Sequence, residues 1–296
     1  MSDNEPSFEP SRGQITLDDI ELAYLEVGAG PLAICLHGFP DTAGSWRHLM
    51  PALADAGYRA VAPFLRGYAP STAPADHNGQ AGAGVADICA LHEELGGGSE
   101  AVLIGHDWGA VIAYGCATHA PDRWRRVITA SVPPGPVLGQ ALMDHDQLRR
   151  FWYIFFFLNP LSDLVVPLDD LAFIDRLWAE WSPGFDGSEG ARRARDALRD
   201  PAALATALDI YRKALGGAEG DPRYAAHQAA IGAVPPQPCL YLHGTDDQCV
   251  GVEFASPTAP LLAPGSAVEV VEGAGHFLHL ERPERVNELI LDFLRD

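Results

Sequence analysis

A chain of 296 residues exceeds the average domain, and 47% hydrophobic with 20% charged residues is ordinary globular composition, which excludes a disordered or fibrous body. The formal net charge of −20 works against phosphate backbones and anionic lipid surfaces, so nucleic-acid and membrane partners are discounted. The five cysteines (Cys35, Cys89, Cys116, Cys239, Cys249) are scattered, odd in number and lack a C-x-x-C pair; this suggests neither a disulfide framework nor a zinc site and fits a reducing, cytoplasmic compartment.

In chain order, MSDNEPSFEP is acidic and polar, without the basic start and apolar run of a signal peptide, and reads as a frayed lead-in. Strand-like spacing over 15–27, closed by Gly28-Ala29-Gly30, predicts one or two antiparallel lead strands. Residues 32–36 are continuously apolar, as a strand covered on both faces must be, and run straight into HGFP. A helix over 45–56, with Trp46, Leu49, Leu53 and Ala56 on one side, precedes a short strand at 59–62. A helix at 85–95, a strand at 101–104, a helix at 109–119 and a strand at 127–131 continue the alternation. Together they predict an α/β fold with a mostly parallel, doubly wound sheet.

At Val132-Pro133-Pro134-Gly135-Pro136 the pattern breaks, and the next hundred or so residues carry amphipathic helical stretches rich in Phe, Trp and Arg until the proline cluster at 234–238. This stretch reads as an inserted helical cap, dividing the chain into a core at 1–134, a cap at 135–234 and the rest of the core at 235–296. Its most apolar run, 151–158, is too short to span a bilayer and is stopped by Asn159-Pro160, so burial within the protein is expected. Strands at 239–242 and 267–271 and a helix at 283–294, with proline in its first turn, complete the core.

The segment Gly105-His106-Asp107-Trp108-Gly109 lies between a β-rich run and a helical one, the strand–turn–helix context of a nucleophile elbow, with Asp107 in the nucleophile slot. The plainer reading is that Asp107 only caps the following helix. No G-x-S-x-G occurs, so a serine esterase has no elbow here. A carboxylate needs no base for activation and attacks an sp³ carbon by displacement, leaving an alkyl ester on the enzyme. Hydrolysing that ester takes a histidine-activated water and backbone donors for the developing oxyanion.

Of eleven histidines, His276 is the best placed: it follows the last predicted strand, in EGAGHFLHLERPE, after both the nucleophile and a candidate acid, with His279 as the fallback. CLYLHGTDDQ offers Asp246 and Asp247 as that acid, although either also suits a turn. The loop His37-Gly38-Phe39-Pro40 follows the first buried strand, so the backbone N–H groups of Phe39 and Trp108 are the expected oxyanion donors, with His37 beside them as a further binding residue.

With HGFP, the GHDWGA elbow, RGYAPS at 66–71 and GHFLHLERPE in order, the sequence resembles the epoxide hydrolases of the α/β-hydrolase superfamily over about 15–294. The resemblance implies an α/β-hydrolase fold and the opening of an epoxide to a vicinal diol through an aspartyl ester. It implies Asp107 as nucleophile, Asp247 with His276 as the water-activating pair, and two cap tyrosines that hold and protonate the epoxide oxygen. The first lies seven residues before a proline in an aromatic cap helix, matched by Tyr153 ahead of Pro160; the second opens a Tyr-Arg pair, matched by Tyr211-Arg212. Taken singly, each tyrosine also suits plain packing. The substrate implied is a small apolar or aromatic epoxide, and the cap rings Phe155, Phe156, Phe157, Phe173, Trp178, Trp181 and Phe185 leave room for a bulkier one unless they only pack the cap.

The chain departs from the family pattern at Leu158, where many members carry glutamine, at Pro160, which no glycine follows, and at Phe64, in place of a common aspartate. The nearest rival is a haloalkane dehalogenase using the same Asp107, with the Trp108 indole donating to the halide. Many such enzymes, however, have asparagine at the position of Phe39, and a phenyl ring cannot donate. Fluoroacetate dehalogenases resemble the HGFP segment but carry arginine at the position of Trp108, and a non-catalytic hydrolase-like binding protein is the alternative from another class. No metal or organic cofactor is implied, since neither ligand spacings nor a phosphate-binding glycine loop occurs. A homodimer is left open.

Overall fold

The computed structural model describes residues 9–295, so most of the expected lead-in lies outside the described residues. The strands are β1 (Ser11–Thr16), β2 (Glu21–Gly28), β3 (Leu32–Leu36), β4 (Arg59–Pro63), β5 (Ala101–His106), β6 (Trp124–Ala130), β7 (Cys239–Gly244) and β8 (Ala267–Val271). They form one sheet in the order β1-β2-β4-β3-β5-β6-β7-β8. β1 and β2 pair antiparallel, β2 meets β4 antiparallel, and all pairs from β4 to β8 are parallel.

The unbroken apolarity of β3 has its cause in the two helix layers. Side chains alternate across a strand, and Ala33 and Cys35 join the cluster of α1 (Leu49–Asp55), with Leu49 and Leu53. Ile34 and Leu36 join the cluster of α2 (Ala81–Glu94) and α3 (Trp108–His119), with Ile88 and Ile112. The expected helix over 45–56 divides into a 3₁₀ segment, Ala43–His48, and α1. α2 begins four residues before its predicted start; its first turn, Ala81-Gly82-Ala83-Gly84, carries two glycines of low helix propensity, which hid it from the sequence pattern. Packing decides it: a Cβ on Gly84 would lie 2.8 Å from the Ile112 side chain of α3.

Between β6 and β7 run eight helices: α4 (Gly135–Ala141), α5 (His145–Arg150), α6 (Trp152–Phe157), α7 (Ser162–Val165), α8 (Leu168–Trp181), α9 (Ser188–Leu198), α10 (Pro201–Leu215) and α11 (Ala225–Ala230). Trp178 of α8 ties this segment to the loops that follow β3 and β8, its indole donating to the Pro40 carbonyl at 2.8 Å while its face stacks on Phe277 at 3.5 Å between centroids. The run at 151–158 is buried only on one side. Phe151, Tyr153, Ile154 and Phe157 are covered, but Trp152 and Phe155 are 42% and 48% exposed, because a helix this short presents one face to the core and the other to solvent. Two short C-terminal helices follow β8, α12 (Leu278–Glu281) and α13 (Pro283–Arg295); Val286 and Ile290 of the latter cover the same sheet face as α1. Among the described residues no helix is long and apolar enough to cross a membrane.

The RGYAPS loop serves this frame. Buried Arg66 forks onto Asp87 of α2 through two hydrogen bonds of 2.7 Å, and the Ser71 hydroxyl accepts from Ala23 N–H and donates to the Phe64 carbonyl. A bidentate guanidinium–carboxylate pair out of water fixes the loop against α2.

Candidate active site

β3 lies between β4 and β5, so the chain leaves β3 in opposite directions on its two sides and a crevice opens at the strands' C-terminal ends. The HGFP loop leaves β3 there, and the elbow leaves β5. Asp107 sits at the apex with φ 53° and ψ −122°, a strained conformation for a residue with a Cβ. The close crossing of α3 over β3 needs a glycine, since a Cβ on Gly109 would lie 2.2 Å from the Leu36 carbonyl oxygen. Asp107 does not cap α3 with its side chain. Its Oδ1 instead accepts the Phe39 backbone N–H at 2.8 Å.

His276 Nδ1 lies 3.0 Å from Asp247 Oδ2, and His276 Nε2, without a hydrogen-bond partner, lies 3.6 Å from Asp107 Oδ2. All three are at most 4% exposed. Asp247 Oδ1 accepts the N–H groups of Cys249 and Val250 at 2.8 and 2.9 Å, which aims its other oxygen at the imidazole. Asp246 is engaged elsewhere, accepting from the Thr245 hydroxyl. His279, the fallback base, stacks on Trp46 and lies 3.9 Å from Asp41.

Tyr153 of α6 and Tyr211 of α10 are buried with ring centroids 5.9 Å apart, and they line one cavity of about 340 Å³ together with Asp107, Trp108 and Cys249. The Tyr211 hydroxyl has no partner, and the Tyr153 hydroxyl lies 3.4 Å from Cys249 Sγ. Apolar residues such as Leu138, Leu142, Phe151 and Ile231 form the remaining wall. The other expected rings mostly pack: Phe156 stacks on Phe173, and Phe157 abuts Phe39.

His37 needs correction. Its Nε2 accepts the Leu65 N–H at 3.0 Å and its Nδ1 donates to the Gly38 carbonyl at 2.9 Å, so its ring braces the loop that presents Phe39 rather than facing the cavity. Five residues assigned no site role from the sequence hold the His276 loop. The His276 carbonyl accepts from Ser131 Oγ at 2.8 Å and from His106 Nε2 at 2.9 Å, and its N–H donates to the Trp181 carbonyl at the end of α8. Ser182 donates to Glu281, which in turn accepts the Gly275 N–H. His106 stood inside the elbow motif and was legible there; Ser131 and Ser182 carry no local signal.

Burial would lower the pKa of His276, but the surrounding Cys249, Asp247 and Asp107 outweigh it and hold the imidazole well above the ordinary histidine value. Burial likewise pushes Asp247 up, yet His276, His243 and the Val250 N–H bring it below the usual carboxylate range. Burial, with Asp107 nearby, raises both Tyr153 and Tyr211 well above the ordinary phenol value and keeps their hydroxyl protons in place. Behind the site, burial lowers His106 to about 3 and raises Asp41 to about 7.

The Asp41 shift has a measurable consequence. With an unfolded pKa near 4 and a folded one near 7, this carboxyl favours the fold while protonated, and that contribution is lost as pH rises from about 4 through about 7. Asp41→Asn is therefore expected to match the parent at pH 4 and to exceed it by on the order of 4 kcal/mol above pH 7. Urea melts at pH 4, 6 and 8 test this; a difference that does not grow with pH refutes it.

The sheet order, the strained carboxylate at the elbow and the Asp–His pair after β7 and β8 define the class. The α/β-hydrolase-fold family matches residues 31–283, and the chain belongs to that family, among its epoxide-hydrolase relatives. It is 30% identical to epoxide hydrolase A of Mycobacterium tuberculosis over 96% of this chain and 97% of the relative. The crystal structure of epoxide hydrolase A from Mycobacterium thermoresistibile superposes with a TM-score of 0.79 at 28% identity, covering 97% of this chain and 98% of that one. A loop variant of a haloalkane dehalogenase from Bradyrhizobium elkanii reaches a TM-score of 0.80 at 23% identity, with 97% of both chains covered, a likeness of fold.

Proposed function

We propose that this protein opens small apolar or aromatic epoxides to vicinal diols. The Asp107 carboxylate attacks a ring carbon, the C–O bond breaks, and the oxygen takes a proton from Tyr153 or Tyr211, leaving a hydroxyalkyl ester on Asp107. A water deprotonated by His276, itself oriented by Asp247, then attacks the ester carbonyl, whose developing charge falls to the N–H groups of Phe39 and Trp108. The leaving alkoxide takes the proton from the His276 imidazolium, the diol departs, and the proton of the regenerated Asp107 carboxyl returns through water to the tyrosinate, restoring both carboxylate and phenol. In this reading 1–134 and 235–296 act as one core and 135–234 as the cap that supplies the tyrosines, in a cytoplasmic enzyme whose five cysteines remain thiols.

The observation that carries the reading is the pair of buried tyrosine hydroxyls on the cavity that also contains Asp107, where burial raises both phenols above their ordinary value. A strained ring opens readily only if its departing alkoxide is stabilised, and two phenols supply that proton and hydrogen bond. Halide displacement would use the same carboxylate and has no need of them, while Phe39 offers no side-chain donor.

The test is a side-by-side assay of an aryl epoxide and a short bromoalkane, following diol and bromide. Diol without bromide is expected. Bromide release alone overturns the proposal and assigns the chain to the dehalogenases, with Trp108 as the halide donor.

A further inference from the structure

Cys249 has no part in the chemistry above, yet it lines the cavity beside Asp107. Donor atoms of Asp107, Cys249 and His276, all buried, lie within 4.8 Å of one another. His276 Nε2 is fully buried, has no hydrogen-bond partner and belongs to this group. The other four cysteines do not line this cavity: Cys35 and Cys239 lie on sheet strands, and Cys89 and Cys116 on helices flanking the sheet.

From this arrangement we propose that the pocket is an inhibitory site for a soft divalent cation, zinc or cadmium, held by Asp107, His276 and the Cys249 thiolate. Two ligand atoms of a tetrahedral zinc site lie roughly 3.4 Å apart when each bond is about 2.1 Å. The 3.6 Å from His276 Nε2 to Asp107 Oδ2 is already that edge. The third donor closes the site with a small side-chain rotation, since 4.8 Å is the outer bound of the set.

The donor types match as well. Imidazole, carboxylate and thiolate are the zinc set, and thiolate selects soft ions over magnesium or calcium. Asp247 on His276 Nδ1 forms the carboxylate–histidine–metal arrangement that fixes ring orientation and raises ligand basicity. The Tyr153 hydroxyl, 3.4 Å from Cys249 Sγ, is placed to donate to the bound thiolate. The fourth position faces the cavity. Binding forms metal–sulfur, metal–nitrogen and metal–oxygen bonds and releases the Cys249 thiol proton and the proton on His276 Nε2 to solvent, with no change of oxidation state.

Such an ion occupies the nucleophile and the general base together, so it competes with any substrate of the pocket, epoxide or not. The direct test needs no turnover. The intact protein is titrated with cadmium, and the near-ultraviolet thiolate-to-metal charge-transfer absorption is followed. One equivalent is expected to give the band in the parent, and Cys249→Ser to abolish it. His276→Gln keeps the thiol but is expected to weaken cadmium binding roughly tenfold or more. In turnover assays zinc is expected to raise the apparent KM and leave kcat unchanged, with reversal by chelator. No band at one equivalent, a band that survives Cys249→Ser, or unaltered affinity in His276→Gln overturns the proposal.

Discussion

Asp107→Ala is expected to lose turnover to background, while His276→Gln is expected to react once and stop, gaining the full mass of the epoxide. Ring opening is an addition with no leaving group, so the trapped ester carries every atom of the substrate. General-base removal costs about 10²- to 10⁴-fold, enough for the ester to accumulate. Intact-mass spectrometry followed by peptide mapping places the adduct on Asp107; an unmodified His276→Gln protein, or an adduct on another residue, refutes the two-step mechanism.

The imidazole's raised pKa adds a pH signature. Asp107 is one of the groups that raise His276, after Cys249 and Asp247, so turning it into an ester lowers the imidazole pKa. As pH falls, His276 reprotonates in the ester form, so hydrolysis slows before alkylation does and the ester becomes visible in the parent enzyme under acid quench.

The second large effect is expected at the tyrosines. Removing one preorganised donor at a developing oxyanion costs on the order of 10²- to 10³-fold. Tyr153→Phe and Tyr211→Phe each leave the other hydroxyl in the same cavity, so each single variant should fall toward the lower end of that range and the double variant to background. The rings pack on each other and on Phe157, contacts that phenylalanine preserves. A loss of kcat at unchanged stability is therefore expected. A double variant that keeps parental kcat removes the tyrosines from the mechanism.

Much of this molecule was legible along the chain. The alternation of strands and helices marked the doubly wound sheet, because a strand buried on both faces must be apolar throughout, as β3 is. The elbow was legible because a strained apex between closely packed elements demands glycine locally, and Gly109 answers a contact of 2.2 Å. Boundaries were less legible: the start of α2 rests on helix packing against Ile112, which no window of sequence contains.

The candidate reacting groups, Asp107, His276 and the Asp246–Asp247 pair, were readable along the chain together with the order in which they come. Local chemistry governs those, since a turn, a strand end or a glycine approach is written within a few residues. The resemblance already pointed to Asp247 of the two acids, and the folded chain supports it through the Cys249 and Val250 N–H groups that turn Asp247 toward His276. The tertiary structure alone turned His37 away from the cavity, brought Ser131 and Trp181 to the His276 backbone, and set Cys249 beside Asp107. Apart from the local turn at Asp247 and the His37–Gly38 bond, these contacts join residues far apart in the chain, and distance in sequence carries no trace of them.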